Sequence, residues 1–144
     1  MLDSLFALTR NLIYFVQMNI ILGDVMRKIK VAIATVGKKG LGDEVADTFA
    51  QAKTISLLTI NGNKVHLEVL DNPAASLTRG RGVTIVPLLK DKGVNVVVAS
   101  KLGLGASVLL EKAKIRMVIV PAGTKVVDII RDDTYKSESF KPKF

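Results

Sequence analysis

Residues 94–120, VNVVVASKLGLGASVLLEKAKIRMVIV, restrict the fold more than any other segment of the chain. VNVVVAS (94–100) is a continuous apolar run, the pattern of a strand covered on both faces. A glycine turn follows. GASVLLEKAK (105–114) then spaces Ala106, Leu109, Leu110 and Ala113 to face a core from one side of a helix. IRMVIV (115–120) is a second buried strand. Two strands joined through a helix lie parallel with a right-handed crossover, and their sheet needs helices over its faces. The chain is therefore read as an α/β protein.

The preceding residues add an antiparallel part. KIKVAIAT (28–35) reads as a strand with Ile29, Val31 and Ile33 on one face. TISLLTI (54–60) and KVHLEVL (64–70) flank NGN, a hairpin turn signal. VTIVPLLKDKG (83–93) reads as a helix stopped by Gly93, although Pro87 suits a first turn better than a helix middle. TKVVDIIRD (124–132) makes a last helix with Thr124 as its cap. The order β-β-β-α-β-α-β-α gives one mixed sheet with helices on its faces. With 144 residues, 49% of them hydrophobic and 24% charged, the chain suits one globular domain and is too apolar for disorder. No internal repeat or linker divides residues 27–131.

Composition changes at both ends. Residues 1–26 form an N-terminal extension whose uncharged run, Asn11 to Gly23, is shorter than the roughly 20 apolar residues a spanning helix needs. Asp3 in place of a basic cluster, and no small-x-small site after the run, argue against a secretory signal. Leu5, Leu12, Val16 and Ile20 fall near helical spacing, which fits an amphipathic helix docked on the domain. Alternatively, Met26 opens MRKIKVAIAT, a natural domain start, and translation from there would leave residues 1–25 outside the native protein. Residues 132–144 are polar and aperiodic and read as a flexible tail with a basic end.

The residue inventory narrows the chemistry. Cysteine is absent, so disulfides, thiolate catalysis and thiolate metal sites are excluded. His66, the single histidine, alternates with Val65 and Leu67 in an expected edge strand, where an exposed structural role fits better than metal ligation. Asp43, Glu44 and Asp47 follow the first strand and read as the surface charge of a short helix. Ser100 and Ser107 have no histidine to activate them. No catalytic residue and no metal site is expected. The net charge of +8 favours anionic partners, or serves solubility alone. Nucleic acid is a weak candidate: single-strand binders stack bases on aromatic rings, and Phe49 is the only aromatic residue between Arg27 and Arg131. RGRG (79–82) and the charge leave room only for nonspecific, salt-sensitive binding.

KVAIAT, LGDEVADTF, NPAA, RGRG, LLKDKGVNVVVAS and PAGT, in this order and spacing over about residues 28–131, resemble the dinitrogenase iron–molybdenum cofactor biosynthesis domain of the NifX-type carriers. The resemblance implies a ribonuclease-H-like three-layer fold. Its five-stranded mixed sheet would have the order 3-2-1-4-5 with strand 2 antiparallel. It also implies a small protein that binds or carries iron–sulfur precursors or the finished cofactor. One position departs from the pattern: Asp47-Thr48-Phe49-Ala50 stands where the family often has a glutamate-histidine-phenylalanine-glycine stretch. Thr48 replaces a histidine that could ligate a cluster, so ligation in the family manner is not expected.

In a sheet of this order, strands 1, 3, 4 and 5 point the same way and the loops after them meet on one edge, where open α/β sheets bind ligands. Those loops are TVGKKGLG (35–42), NPAASLTRGRG (72–82), SKLGLG (100–105) and PAGTK (121–125). They hold six cations, Lys38, Lys39, Arg79, Arg81, Lys101 and Lys125, and no acid. Helix N-termini add partial positive charge. Gly80, Gly82, Gly103 and Gly105 would let backbone amides approach an anion. A dinucleotide fingerprint is not expected, because no acid ends the strand after Gly103-Leu104-Gly105; a phosphate-binding P-loop lacks its Gly-Lys-Ser/Thr ending. The expected function is non-enzymatic, cytoplasmic capture of an anionic metallocluster or small anion at this rim. The cargo would be an iron–sulfur or iron–molybdenum cofactor precursor, and the partners cofactor-assembly proteins, with a homodimer allowed and no membrane. The alternatives are an interaction module without a small-molecule site and a weak nucleic-acid binder.

Overall fold

The computed structural model describes residues 8–19 and 28–140. Residues 8–19 form helix α1. The domain follows as β1 (Lys28–Thr35), a 3₁₀ turn (Gly40–Gly42), β2 (Thr54–Asn61), β3 (Lys64–Asp71), α2 (Arg81–Asp91), β4 (Val96–Ala99), α3 (Leu104–Lys112), β5 (Arg116–Ile119), α4 (Val126–Arg131) and a second 3₁₀ turn (Thr134–Lys136). The strands make one five-stranded sheet in the order β3-β2-β1-β4-β5. β2 is antiparallel to both β1 and β3, whereas β1, β4 and β5 are parallel. The sequence reading of the sheet is correct in order and direction.

Side-chain alternation divides the core into two layers. Ala32, Ala34, Leu57, Val97 and Met117 face Ile85, Leu89 and Leu110 of α2 and α3. Val31, Ile33, Leu58, Val96, Val98 and Val118 face Val126 and Ile129 of α4. Every residue of β4 is buried, as expected for a strand with helices on both sides. The hairpin register pairs Asn61 with Lys64, so the loop is only Gly62-Asn63, and Gly62 takes the positive φ of +60° that such a tight turn requires.

Local details differ from the sequence reading. α2 starts at Arg81 and carries Pro87 in its interior. Proline leaves the Val83 carbonyl without its helical donor, but both residues are exposed, so the carbonyl stays open to solvent. Thr124 does not cap α4; the cap is Lys125, and the Thr124 hydroxyl donates to the Pro121 carbonyl at 2.6 Å. β5 is buried only at Met117 and Val118, because it is the last strand of the sheet.

The chain after α4, read as a frayed tail, is held over residues 132–140. Tyr135 is buried in the α4-side core. The Arg116 guanidinium donates to the Ser137 carbonyl. The Met117 amide donates to Ser139 Oγ at 3.0 Å, and the Phe140 amide donates to the Met117 carbonyl at 2.6 Å. These bonds run along the outer edge of β5. Residues 141–144 lie outside the described residues.

The docked amphipathic helix expected near the N-terminus is half right. A helix forms, but every residue of α1, including Leu12 and Val16, is exposed rather than packed on the domain. Leu5 and Ile20 lie outside the described residues. No helix among the described residues is long and apolar enough to cross a membrane.

Candidate functional site

From their carboxyl ends, the chain leaves β1 toward β2 and leaves β4 toward β5, on opposite sides of the sheet. These neighbouring strand ends form a switch point, where the connections diverge and leave a crevice. Two stretches of chain line it. Residues 46–52 follow β1, and residues 100–103 follow β4. The Ser100 hydroxyl reaches the carbonyls of Ala46 (3.0 Å) and Asp47 (2.6 Å), and the Phe49 amide donates to the Lys101 carbonyl (2.9 Å). Phe49 is itself buried in the core and anchors its turn. Behind it, Asn72 Nδ2 donates to the carbonyls of Ala50 (3.2 Å) and Ala52 (2.8 Å) while its Oδ1 accepts from the Ala74 amide (2.9 Å).

The crevice opens into a cleft of about 600 Å³. Thr48 and Gln51 form one wall, and Ser100, Lys101 and Gly103 form another. Arg81 enters from the start of α2, while Ala50, Leu102, Ile119 and Phe140 make the remaining surface apolar. Arg81 is held in place: its Nε donates to the Leu77 carbonyl at 2.6 Å. The Gln51 amide, turned with its oxygen toward the guanidinium, accepts from Nη1 (2.9 Å) and Nη2 (3.1 Å). Lys101 is exposed and makes no ion pair among the described residues.

Helices α2 and α3 both begin at this cleft, with no side-chain cap and no acid in the first turn. Their first amides and helix dipoles therefore favour negative charge. Gly80, before α2, adopts a left-handed φ of +70°, which lets the chain turn sharply into the helix. At Gly103 and Gly105 an added Cβ would meet nothing within 4 Å, so the start of α3 stands bare. Gly82 differs: its missing Cβ leaves room for Ala106 and Leu109 and lets α2 and α3 pack closely.

The structure gathers only part of the expected rim into this cleft: Arg81, Lys101 and Gly103 line it. Lys38 pairs with Asp71 at 3.2 Å and Lys125 with Glu44 at 2.9 Å. The four loops themselves hold no acid, but Asp71 and Glu44, just outside them, reach back to neutralise Lys38 and Lys125. Arg79 is exposed, and the Lys39 amide donates to the Asp43 carboxylate at 3.1 Å.

Asp43 is the larger correction. It was read as surface charge in a short helix, yet residues 43–46 are not helical and Asp43 is 1% exposed. Its carboxylate accepts from the amides of Gly37 (3.2 Å), Lys39 (3.1 Å) and Glu44 (2.8 Å), closing the loop after β1. The neighbouring backbone bridges β1 to the loop before α4, through Thr35–Val45 and Glu44–Lys125 pairings. Lys125 beside Glu44 holds that carboxyl below the usual carboxylate range. His66 is exposed on β3, as expected. No group of three or more His, Cys, Asp or Glu able to hold a metal occurs among the described residues.

Gln51 and Phe140 were missed by sequence reasoning. Gln51 carries no local signature, since its role depends on where Arg81 arrives, and Phe140 lies in the segment read as a tail.

The model of the family described as dinitrogenase iron-molybdenum cofactor matches residues 27–133. The chain belongs to this family. The match contains the whole cleft except Phe140. Among solved structures, the apo orange protein from Desulfovibrio gigas superposes with a TM-score of 0.68 at 21% identity, covering 83% of this chain and 99% of that one. A NifB-like protein from Thermotoga superposes with a TM-score of 0.63 at 28% identity, covering 81% of this chain and 97% of that one. The likeness to the orange protein is one of fold. No curated protein sequence matches the chain.

Proposed function

We propose that this protein is a non-enzymatic carrier that takes an anionic metal–sulfur cofactor, or its iron–sulfur precursor, into the cleft between β1 and β4. Family membership supplies the class of cargo. The observation that carries the location is Arg81, fixed by Leu77 and Gln51 at the mouth of the switch-point cleft, with Lys101 opposite and uncapped helix starts beside it. Preset donors of this kind bind an anion without having to reorganise. The apolar wall of Leu102, Ile119 and Phe140 suits the soft, weakly hydrated sulfide surface of a cluster.

With no cysteine in the chain and Thr48 at the cleft wall, the protein offers no thiolate or imidazole to the metal there. Thr48, Ser100 and Gln51 offer hydroxyl and amide hydrogen bonds instead. Capture is then electrostatic and reversible, which suits a carrier that must release its load. The two-sided helical cover of the 3-2-1-4-5 sheet supports a ribonuclease-H-like fold. The protein would act in the cytoplasm beside cofactor-assembly proteins.

The test is anaerobic titration with a preformed iron–sulfur precursor, followed by visible absorbance, on the wild-type chain and on an Arg81→Ala, Lys101→Ala variant. Losing two charge-assisted contacts, each about 1.5–3 kcal/mol, weakens binding by at least tenfold. Equal binding by both proteins overturns the placement in this cleft. A wild-type chain that binds no precursor favours the interaction module.

A further inference from the structure

A second charged surface lies at the opposite end of the strands. On one face of the sheet the register sets Lys28, Asn61 and Lys64 in one cross-strand row and Lys30, Thr59 and His66 in the next. Neighbouring strands are ~4.8 Å apart and same-face residues along a strand ~7 Å, so the four basic residues have Cα atoms within roughly 10 by 7 Å. Together they line an open concavity of about 750 Å³. Helices α2 and α3 cover this face farther along; at the patch, Lys30 Nζ donates to the Lys92 carbonyl at the end of α2 (2.8 Å).

Charge here is unbalanced. Among the described residues, Lys28, Lys30, Lys64 and His66 have no ion-pair partner, and Glu68 is the one acid lining the concavity. At the cleft end Lys38 and Lys125 are matched by carboxylates, and the unmatched Arg81 and Lys101 line the cleft itself.

The form of the patch selects the occupant. A small ion would meet the exposed, hydrated side chains of Lys28, Lys64 and His66, with the half-buried Lys30 already donating to the Lys92 carbonyl, and single exposed ion pairs hold little. Single-stranded nucleic acid would find no Phe, Tyr or Trp here and only the single imidazole of His66, which is no platform for successive bases. A protein surface with several carboxylates engages the Lys28, Lys30 and Lys64 ammonium groups at once and is steered to them. We propose that this face of β1, β2 and β3 docks an acidic protein partner while the cleft at the other end of the strands stays open. The proposal rests on the register and charge of this face and does not depend on the identity of the cargo.

Titration of the ¹⁵N-labelled full chain with a poly-glutamate peptide, followed by amide chemical shifts, tests it. The expected shifts cluster at residues 28–30, 59–61 and 64–68. Lys28→Glu with Lys64→Glu weakens binding by about tenfold, which is 1.4 kcal/mol. Lys112→Glu on α3, a reversal of equal charge per site elsewhere, leaves it within about twofold, the scale of ordinary surface substitutions. Both variants are checked for wild-type melting. Shifts centred on Arg81 and Lys101, unchanged affinity in the double reversal, or tighter binding at these amides by a single-stranded oligonucleotide or inorganic phosphate would each overturn the proposal. Failure of the Arg81→Ala, Lys101→Ala variant to alter precursor binding bears on the cleft alone, so the two readings fail separately.

Discussion

Replacing Gly105 by alanine separates stability from binding in one substitution. Gly105 lies in the first turn of α3, outside the positive-φ region, and a Cβ there meets nothing within 4 Å. The methyl group therefore brings no clash and restricts the unfolded chain. Glycine-to-alanine changes inside helices are worth about 0.5–1 kcal/mol. A first-turn position takes the lower end, and for a domain of this size about 0.5 kcal/mol raises Tm by roughly 2 °C. The same methyl occupies the bare space in front of the α3 amides. If cargo reaches those amides, losing one charge-assisted hydrogen bond of about 1.5–3 kcal/mol weakens it by about tenfold or more.

Urea unfolding and anaerobic precursor titration on the same protein read both effects. Gly82→Ala is the comparator, since its Cβ would stand 3.3 Å from Leu109 Cδ1 and 3.4 Å from the Ala106 Cα. Its helical gain is offset by crowding, and it melts below Gly105→Ala. A Gly105→Ala protein less stable than wild type would refute the open geometry at α3. Raised stability with unchanged affinity would refute contact between cargo and the α3 amides.

Three further outcomes follow from the loops and the core. Asp43→Asn turns an acceptor shared by three amides into a group with its own donors, costing about 1–3 kcal/mol in urea unfolding; a neutral result would refute the loop-closing role. Burial, with Asp133 beside it, raises the Tyr135 hydroxyl above its usual value near 10.0. The unfolded chain thus ionises first, and wild-type stability falls as pH climbs above about 10, whereas Tyr135→Phe removes that part of the fall; identical alkaline slopes count against it. For Glu44 the sign is opposite. Its depressed carboxyl contributes stability above the ordinary glutamate range that is lost as pH falls through the folded value, so Glu44→Gln flattens the acid limb.

The sheet was legible because its strands are written in periodicities that burial enforces. β4 is apolar at every position since helices cover both its faces, and β1 alternates between the two core layers. What stayed illegible depends on contacts distant in sequence. Asp43 looks like any surface acid until the loop after β1 wraps three amides around it. Counting cations within loop boundaries found Arg81 and Lys101, but it missed Asp71 and Glu44 because they fall just outside those boundaries. In the Asp47-Thr48-Phe49-Ala50 stretch, Thr48 lines the cleft wall and the buried Phe49 anchors the turn behind it. Gln51 acquires meaning only from the guanidinium it faces.

The run of chain from Ser137 to Phe140 does two jobs at once. It occupies the Met117 amide and carbonyl along the outer side of β5, groups that would otherwise invite a strand from another molecule, and it brings the Phe140 ring to the cleft between β1 and β4. Trimming the protein before Ser137 would therefore free the edge of β5 and remove the Phe140 wall of the cleft together.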